Sequence, residues 1–324
     1  MDEKEWRLLS AIARRFYLED ASKIELAAEF DISRFRVARL LQQAREQGVV
    51  TIEIHDRDET REGLTSELAD HLGLEECVVV KAGDSEDDNR RRLARAAAPR
   101  IAGTVRDGDV IGLSWGRTLV AIGEELPALP PSTVIQLTGT VGNDFRQSPV
   151  EVIRRISGRS SVEAVAVFAP LFAASESAAD TFRSDPSIEA ALSRYADLAV
   201  AVVAVGSWDP PITQLGPLLR PAERAELERE GVVAEIAGIF LRGDGSVIET
   251  DLSRRRISVS ADELMRTPRV IAVAGSPEKA EAIAAVARSG ILTSLVTDDR
   301  AAAALLRLPR VDVQAHPRRH ASGR

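Results

Sequence analysis

The sequence predicts two parts: a small all-α helix-turn-helix domain, winged-helix-like at its end, followed by a large Rossmann-like α/β domain. Three observations lead there. The first 55 residues carry three amphipathic helical patterns separated by short turns. The remainder alternates short apolar runs with helical segments. The length, 324 residues, is about twice that of a typical single domain. The expected division is 1–55 for the helical domain, 56–75 for a linker and helix, 76–312 for the large domain and 313–324 for a mobile tail.

Composition bounds the function. A formal charge of −8 argues against a broadly basic surface, so any nucleic-acid contact must be local. Hydrophobic residues at 44% supply a sizeable core, and aromatics at 4% make that core aliphatic. The single cysteine, Cys77, excludes an internal disulfide and fits a reducing cytosol. No apolar run approaches the roughly 20 residues that span a bilayer, and "MDEKEWRLL" is charged rather than signal-like. A soluble, cytoplasmic chain is expected.

In the first helix Trp6, Leu9, Ile12, Ala13 and Phe16 recur at helical spacing. "ASKIELAAEF" predicts a second, with Ser22 as N-cap and Ile24, Ala27 and Ala28 inward. Asp31 stands in the turn "FDIS", where a left-handed residue is usual and Asp tolerates it. Ser33 caps a third helix whose apolar positions, Val37, Leu40, Leu41 and Ala44, form one stripe. At roughly 100° per residue that stripe turns Phe35, Arg39 and Gln42 outward, with Arg36 and Gln43 on the flank. A Phe opposite the core is odd in water and sensible in a major groove, where it can touch a thymine methyl while arginines reach guanine edges or phosphates. Met1–His55 holds nine Lys/Arg against ten Asp/Glu, yet Ser33–Gln47 holds four against one. The candidate DNA-reading set is Ser33, Arg34, Phe35, Arg36, Arg39, Gln42 and Gln43. Gly48 ends the helix, and alternation at Val50, Ile52 and Ile54 predicts a strand or short wing. A solvated helix in a structural bundle is the plainer alternative.

"DRDETREG" is a charged linker, and Leu64, Leu68 and Leu72 then mark a helix packing on the large domain or on a second subunit. Strands are expected at 77–81, 109–113, 133–137, 162–168, 198–205, 269–274 and 292–296. Helices are expected near 89–105, 117–126, 149–156, 187–195, 277–289 and 298–306. Runs such as "LAVAVVAVGS" lack alternation, as parallel strands covered on both faces do. The pattern is that of a doubly wound sheet. A hairpin is expected across Gly243–Gly245.

Ligands of such sheets sit beyond the carboxyl ends of the strands. In "IGLSWGRTLV", Ser114, Gly116, Arg117 and Thr118 offer N–H groups, hydroxyls and a guanidinium, a suitable anion cradle. "VAGSPEKAEAI" offers Ser276 as N-cap, Pro277 at the first helical position and Lys279 behind, although Glu278 weighs against a phosphate there. "VTDDRAA" sets Asp298 and Asp299 at a helix start. Ordinary capping and dipole compensation also explain the last two turns.

With these motifs in view, the chain resembles the SorC family of bacterial transcriptional regulators. "FYLEDASKIELAAEFDISRFRVARLLQQAREQGVVTIEI" looks like the family's N-terminal signature. "IGLSWGRTL" resembles its G-x-S-x-G-x-T turn, "VIQLTGTVG" its V-Q-L-N-G-G strand end, and "GVVAEIAGIFLRGDG" its G-D-I-x-G hairpin. "VIAVAGSPEKAEAI" and "LVTDDRAA" are similar to V-A-G-G-x-x-K-x-x-A-I and L-V-T-D-E-x-A-A. The resemblance implies a domain related to sugar-phosphate isomerases that binds a phosphorylated sugar as effector, and a tetramer. It implies that Ser114, Gly116, Arg117, Thr118, Gly275 and Lys279 surround phosphate, and that Glu235, at the family's Asp, faces sugar hydroxyls. Asp31 replaces a family Gly, while Thr138 and Thr140 replace Asn and Gly. With Asp→Glu at 235, these departures imply an effector whose identity has drifted.

The alternative is a sugar-phosphate isomerase or deaminase with a DNA-binding appendage. Glu235, Asp298 and Lys279 are candidates for its proton transfer. His55, His71, His316 and His320 all lie in linker or terminal segments, and neither a nucleotide-binding loop nor metal-ligand spacing is present. A structural scaffold does not explain the outward Phe35 and Arg39. The expectation is therefore a regulator rather than an enzyme, without cofactor or metal. It would bind a double-stranded DNA operator as a homodimer or homotetramer and respond to a phosphorylated sugar.

Overall fold

The computed structural model describes residues 3–47, 49–50, 62–142, 149–158 and 161–312. The chain divides into two compact units, Met1–Arg57 and Asp58–Arg324. The wing expected through Ile52 and Ile54, the linker segment 56–61 and the tail 313–324 lie outside the described residues.

The first unit contains α1 (Glu3–Leu18), α2 (Lys23–Glu29) and α3 (Arg34–Glu46). Leu9, Ile12 and Ala13 of α1 bury against Leu26 of α2 and Val37, Leu40, Leu41 and Ala44 of α3. Ser22 opens α2 with a capping box: its hydroxyl accepts from the Glu25 N–H, and its own N–H donates to the Glu25 carboxylate at 2.8 Å. Asp31 takes φ +49° in the turn before Ser33, whose hydroxyl accepts from the Arg36 N–H at 3.2 Å. The inward set of α2 differs from expectation. Ile24 is 70% exposed and Ala28 is exposed, whereas Leu26 is buried and Ala27 and Phe30 are half-buried. Ile24 stands two residues, about 200°, from Leu26, so one helix cannot turn both to the same core. Trp6, in the first turn of α1, is 45% exposed and only fringes its stripe.

The second unit begins with α4 (Glu62–Leu72), β1 (Glu76–Val80), α5 (Glu86–Thr104), β2 (Val110–Leu113), α6 (Arg117–Glu125), β3 (Ser132–Gln136), α7 (Pro149–Ser157) and β4 (Val162–Val165). It continues through α8 (Glu176–Arg183), α9 (Pro186–Ser193), β5 (Leu198–Val203), β6 (Gly206–Ser207), α10 (Pro221–Arg229), β7 (Val232–Ile236) and β8 (Ile239–Arg242). It closes with α11 (Asp251–Arg254), α12 (Ala261–Arg266), β9 (Arg269–Val273), α13 (Ala280–Arg288), β10 (Ser294–Asp298) and α14 (Asp299–Leu305). Seven parallel strands run in the order β1-β10-β9-β5-β2-β3-β4. Successive residues of each strand point to opposite faces, and both faces are apolar. Val78, Val80, Ile111, Leu113, Val200 and Val202 pack with Leu93, Leu119 and Val152 of α5, α6 and α7. Cys77, Val79, Val110, Ala201 and Val203 pack on the other side with Leu68 and Leu72 of α4, Ile283 of α13 and Leu305 of α14. The Leu64–Leu72 helix thus packs on its own unit, and the unbroken apolar runs reflect a sheet covered on both faces.

Local differences have local causes. A second, antiparallel sheet orders β6-β7-β8, and the β7–β8 turn falls at Ala237 (φ +49°) and Gly238 (φ +80°). The hairpin expected across Gly243–Gly245 is present as a further turn: Leu241 and Val247 form an antiparallel bridge, and the Arg242 and Ile248 N–H groups donate to the Ser246 and Phe240 carbonyls, each at 2.9 Å. The β7–β8 turn itself is the addition, since two consecutive left-handed residues at Ala237 and Gly238 suit the strand twist and "AG" is a weak signal beside "RGDG". The strand expected to reach Phe168 stops at Val165, because the Val167 N–H donates to the Gln136 side chain at 2.8 Å. Phe168 is 78% exposed. α8 and α10–α12 are further helices beyond the expected set.

Candidate functional site

A cavity of about 600 Å³ opens beyond the carboxyl ends of β1, β2, β5, β9 and β10. The turn after each of four strands brings one wall: Ala82–Glu86 after β1, Ser114–Thr118 after β2, Ala204–Gly206 after β5 and Gly275–Lys279 after β9. Asp298 contributes the end of β10, and Glu235 arrives from β7. The structure therefore brings Ser114, Gly116, Arg117, Thr118, Glu235, Gly275, Lys279 and Asp298 to one space.

Their engagements differ. The Ser114 hydroxyl is buried and accepts the Ala204 N–H at 3.2 Å, tying the β2 turn to the end of β5. Gly116 takes φ +123°, a conformation L side chains rarely adopt, and starts α6 with no side-chain cap. Arg117 lies 3.7 Å from Glu86, which also pairs with Arg90 at 3.1 Å. Lys279 Nζ donates to the Val205 carbonyl at 2.8 Å; burial, then the neighbouring Arg117, brings its pKa down to about 8. Glu235 is fully enclosed and accepts the Gly238 N–H at 2.7 Å, with the Thr213 hydroxyl alongside. Burial pushes its pKa up to about 7, against the smaller opposing effects of that hydrogen bond and of Lys279.

Asp298 lines the cavity with both oxygens engaged inside the protein. One accepts the N–H of Ser276 at 2.6 Å and Asn89 Nδ2 at 2.8 Å, and the other caps α14 through the Ala301 N–H at 2.8 Å. Gly275 is dictated by that arrangement, since a Cβ there would lie 2.2 Å from Asp298 Oδ2. Ser276 makes no cap hydrogen bond, contrary to expectation. Its φ of +85° turns the hydroxyl away from the helix, and that hydroxyl donates to Glu278 instead. The helix expected from Pro277 opens as a 3-10 turn, Pro277–Lys279, before α13. Asn89, Gly206 and Thr213 complete the walls and carried no motif in the sequence.

In the first unit, Phe35 is 75% exposed with the Arg34 guanidinium 5.1 Å from its ring centre. Arg36, Arg39 and Gln42 are exposed beside it, Gln43 is half-buried, and Ser33 is exposed with its hydroxyl capping α3. One face of α3 therefore presents three guanidinium groups and an aromatic ring to the outside of its unit. Among the described residues, no cluster of three or more His, Cys, Asp or Glu is arranged to hold a metal ion, and no helix is long and apolar enough to cross a membrane.

A family model described as "Putative sugar-binding domain" matches residues 59–307. The Transcriptional regulator LsrR of Klebsiella pneumoniae is 27% identical over 312 residues, spanning 94% of each chain. The Deoxyribonucleoside regulator of Bacillus subtilis is 28% identical over 320 residues, 94% of this chain and 99% of the relative. Among solved structures, the full-length Sorbitol Operon Regulator SorC from Klebsiella pneumoniae superposes with a TM-score of 0.71 at 25% identity, covering 94% of this chain and 100% of that one. These relatives are transcriptional regulators, not enzymes.

Proposed function

The chain belongs to the SorC family of sugar-binding transcriptional regulators, and we propose that it grips a double-stranded DNA operator through α3 and adjusts that grip to a phosphorylated sugar held in the large unit. The observation that carries this reading is the convergence of Ser114, Gly116, Arg117, Thr118, Gly275 and Lys279, with Glu235, on one cavity. The starts of α6 and of the Pro277 turn offer N–H groups, and Arg117 and Lys279 add charge, a combination suited to phosphate. Glu235 and Thr213 offer a carboxylate and a hydroxyl suited to sugar hydroxyls. Asp298 supports the rim. The large unit reads as a non-catalytic relative of sugar-phosphate isomerases.

Ser33, Arg34, Phe35, Arg36, Arg39, Gln42 and Gln43 form the proposed DNA face of a winged helix-turn-helix. Arginines there meet guanine edges or phosphates, and Phe35 meets a thymine methyl. The mechanism is linkage. Effector favours one arrangement of subunits, the spacing between recognition helices changes, and operator affinity follows by about 1–3 kcal/mol. Symmetric half-sites require a homodimer or homotetramer, working in the cytoplasm. A thermal-shift panel of sugar phosphates followed by gel shifts tests the reading. A sugar phosphate should stabilise the protein and alter operator affinity together. Stabilisation by neutral sugars alone would overturn the phosphate assignment.

A further inference from the structure

Two carboxylates of the chain itself stand on the rims of the cavity. On one rim of the cavity the Ser276 hydroxyl donates to Glu278, whose carboxylate also accepts its own backbone N–H. On the other rim Glu86 lies between Arg90 and Arg117, at 3.1 and 3.7 Å. All of these residues line the cavity. Ser276 holds φ +85°, a conformation that disfavours any residue with a Cβ, and the hydroxyl it carries is the one that holds Glu278.

We propose that Glu278 is a resident anion, held on the Ser276 turn, which competes with the effector's anionic group and so sets the affinity and selectivity of the cavity. The inference rests on the phosphate reading of that cavity. Glu278 is exposed, so its side chain can swing into solvent when a ligand arrives. A phosphate ester carries more charge and three acceptor oxygens, and can replace both of the carboxylate's contacts. Free inorganic phosphate gains nothing at Glu235 or Thr213 to offset the displacement, whereas a sugar phosphate does. The resident carboxylate therefore protects the site from simple anions.

The test uses the full chain and inorganic phosphate as probe, titrated by calorimetry at fixed ionic strength, with wild type, Glu278→Gln and Ser276→Gly compared. Gln keeps an acceptor and removes the charge; Gly removes the hydroxyl that holds the carboxylate. Glu278→Gln should bind phosphate more tightly than wild type by roughly five- to tenfold, the size expected for one nearby screened charge, and Ser276→Gly, which frees the carboxylate but also takes a donor from the phosphate, should gain less. Adding Lys279→Ala to Glu278→Gln should abolish the gain, which assigns it to this cavity. Equal phosphate affinity in wild type and both variants overturns the inference and leaves the phosphate reading standing. No phosphate binding by any of the three also overturns the inference, and the phosphate reading falls with it if the sugar-phosphate panel fails to stabilise the wild type.

Discussion

Asn89 Nδ2 donates to Asp298 Oδ2 at 2.8 Å, joining residues 209 positions apart and pinning the first turns of α5 to the end of β10. The same oxygen holds the Ser276 N–H, so a single aspartate fixes two rims of the cavity. Asp298→Ala would strand both donors and remove the α14 cap. The expected loss is about 2–4 kcal/mol of stability, read as a lower denaturant midpoint for the large unit. Gly275→Ala, which drives a Cβ into the same oxygen, should cost about 1–3 kcal/mol. A midpoint unchanged in both variants would remove Asp298 from its structural role.

Glu235 makes stability depend on pH. Its folded pKa, about 7, lies above the ordinary 4.5, so the folded state binds the proton more tightly than the unfolded state. Its contribution is most favourable below pH 4.5 and is lost as pH rises through 7, with a size on the order of 3 kcal/mol. Glu235→Gln keeps an acceptor for the Gly238 N–H and should flatten that decline. Unfolding free energies from pH 5 to pH 8 check it, because parallel curves for the two proteins would contradict the shift.

Lys279 titrates in the opposite sense. Its folded pKa, about 8, lies below the ordinary 10.5, so its penalty is full below pH 8 and is relieved as pH rises from 8 to 10.5. Lys279→Ala should abolish stabilisation by the sugar phosphate and leave DNA binding intact. Thermal shifts and gel shifts on the same preparation separate the two; persistence of the response at the same effector concentration would move the phosphate elsewhere.

On α3, Arg39→Ala should weaken operator binding by roughly 1–3 kcal/mol. Phe35→Ala should weaken it too, with stability changed by less than about 0.5 kcal/mol because the ring is exposed. Unchanged gel-shift affinity in both variants would defeat the groove contact.

Much of the architecture was legible because periodicity reports burial. Val37, Leu40, Leu41 and Ala44 recur at the helical period, and all four are buried. "LAVAVV" is apolar on both faces, and β5 sits at the centre of a sheet covered on both sides. In the short α2 the sequence places Ile24 inward wrongly, because seven residues hold too few apolar positions to define a face. The letters "GSPE" suggest a capping Ser276 because they look the same whether φ is negative or +85°.

By itself the sequence determined which residues are apolar, at what period, and where chain turns expose N–H groups and charge, since these properties are local and a helix or strand needs little else to be specified. Only the tertiary structure decided that Asn89, Thr213 and Gly206 share a cavity with Lys279, and that the carboxylates of Asp298 and Glu278 are engaged by the chain's own donors. Such pairings join residues far apart in the chain or depend on a single backbone angle. Their energies come from distance and burial, which exist only once the strands have taken their order in the sheet.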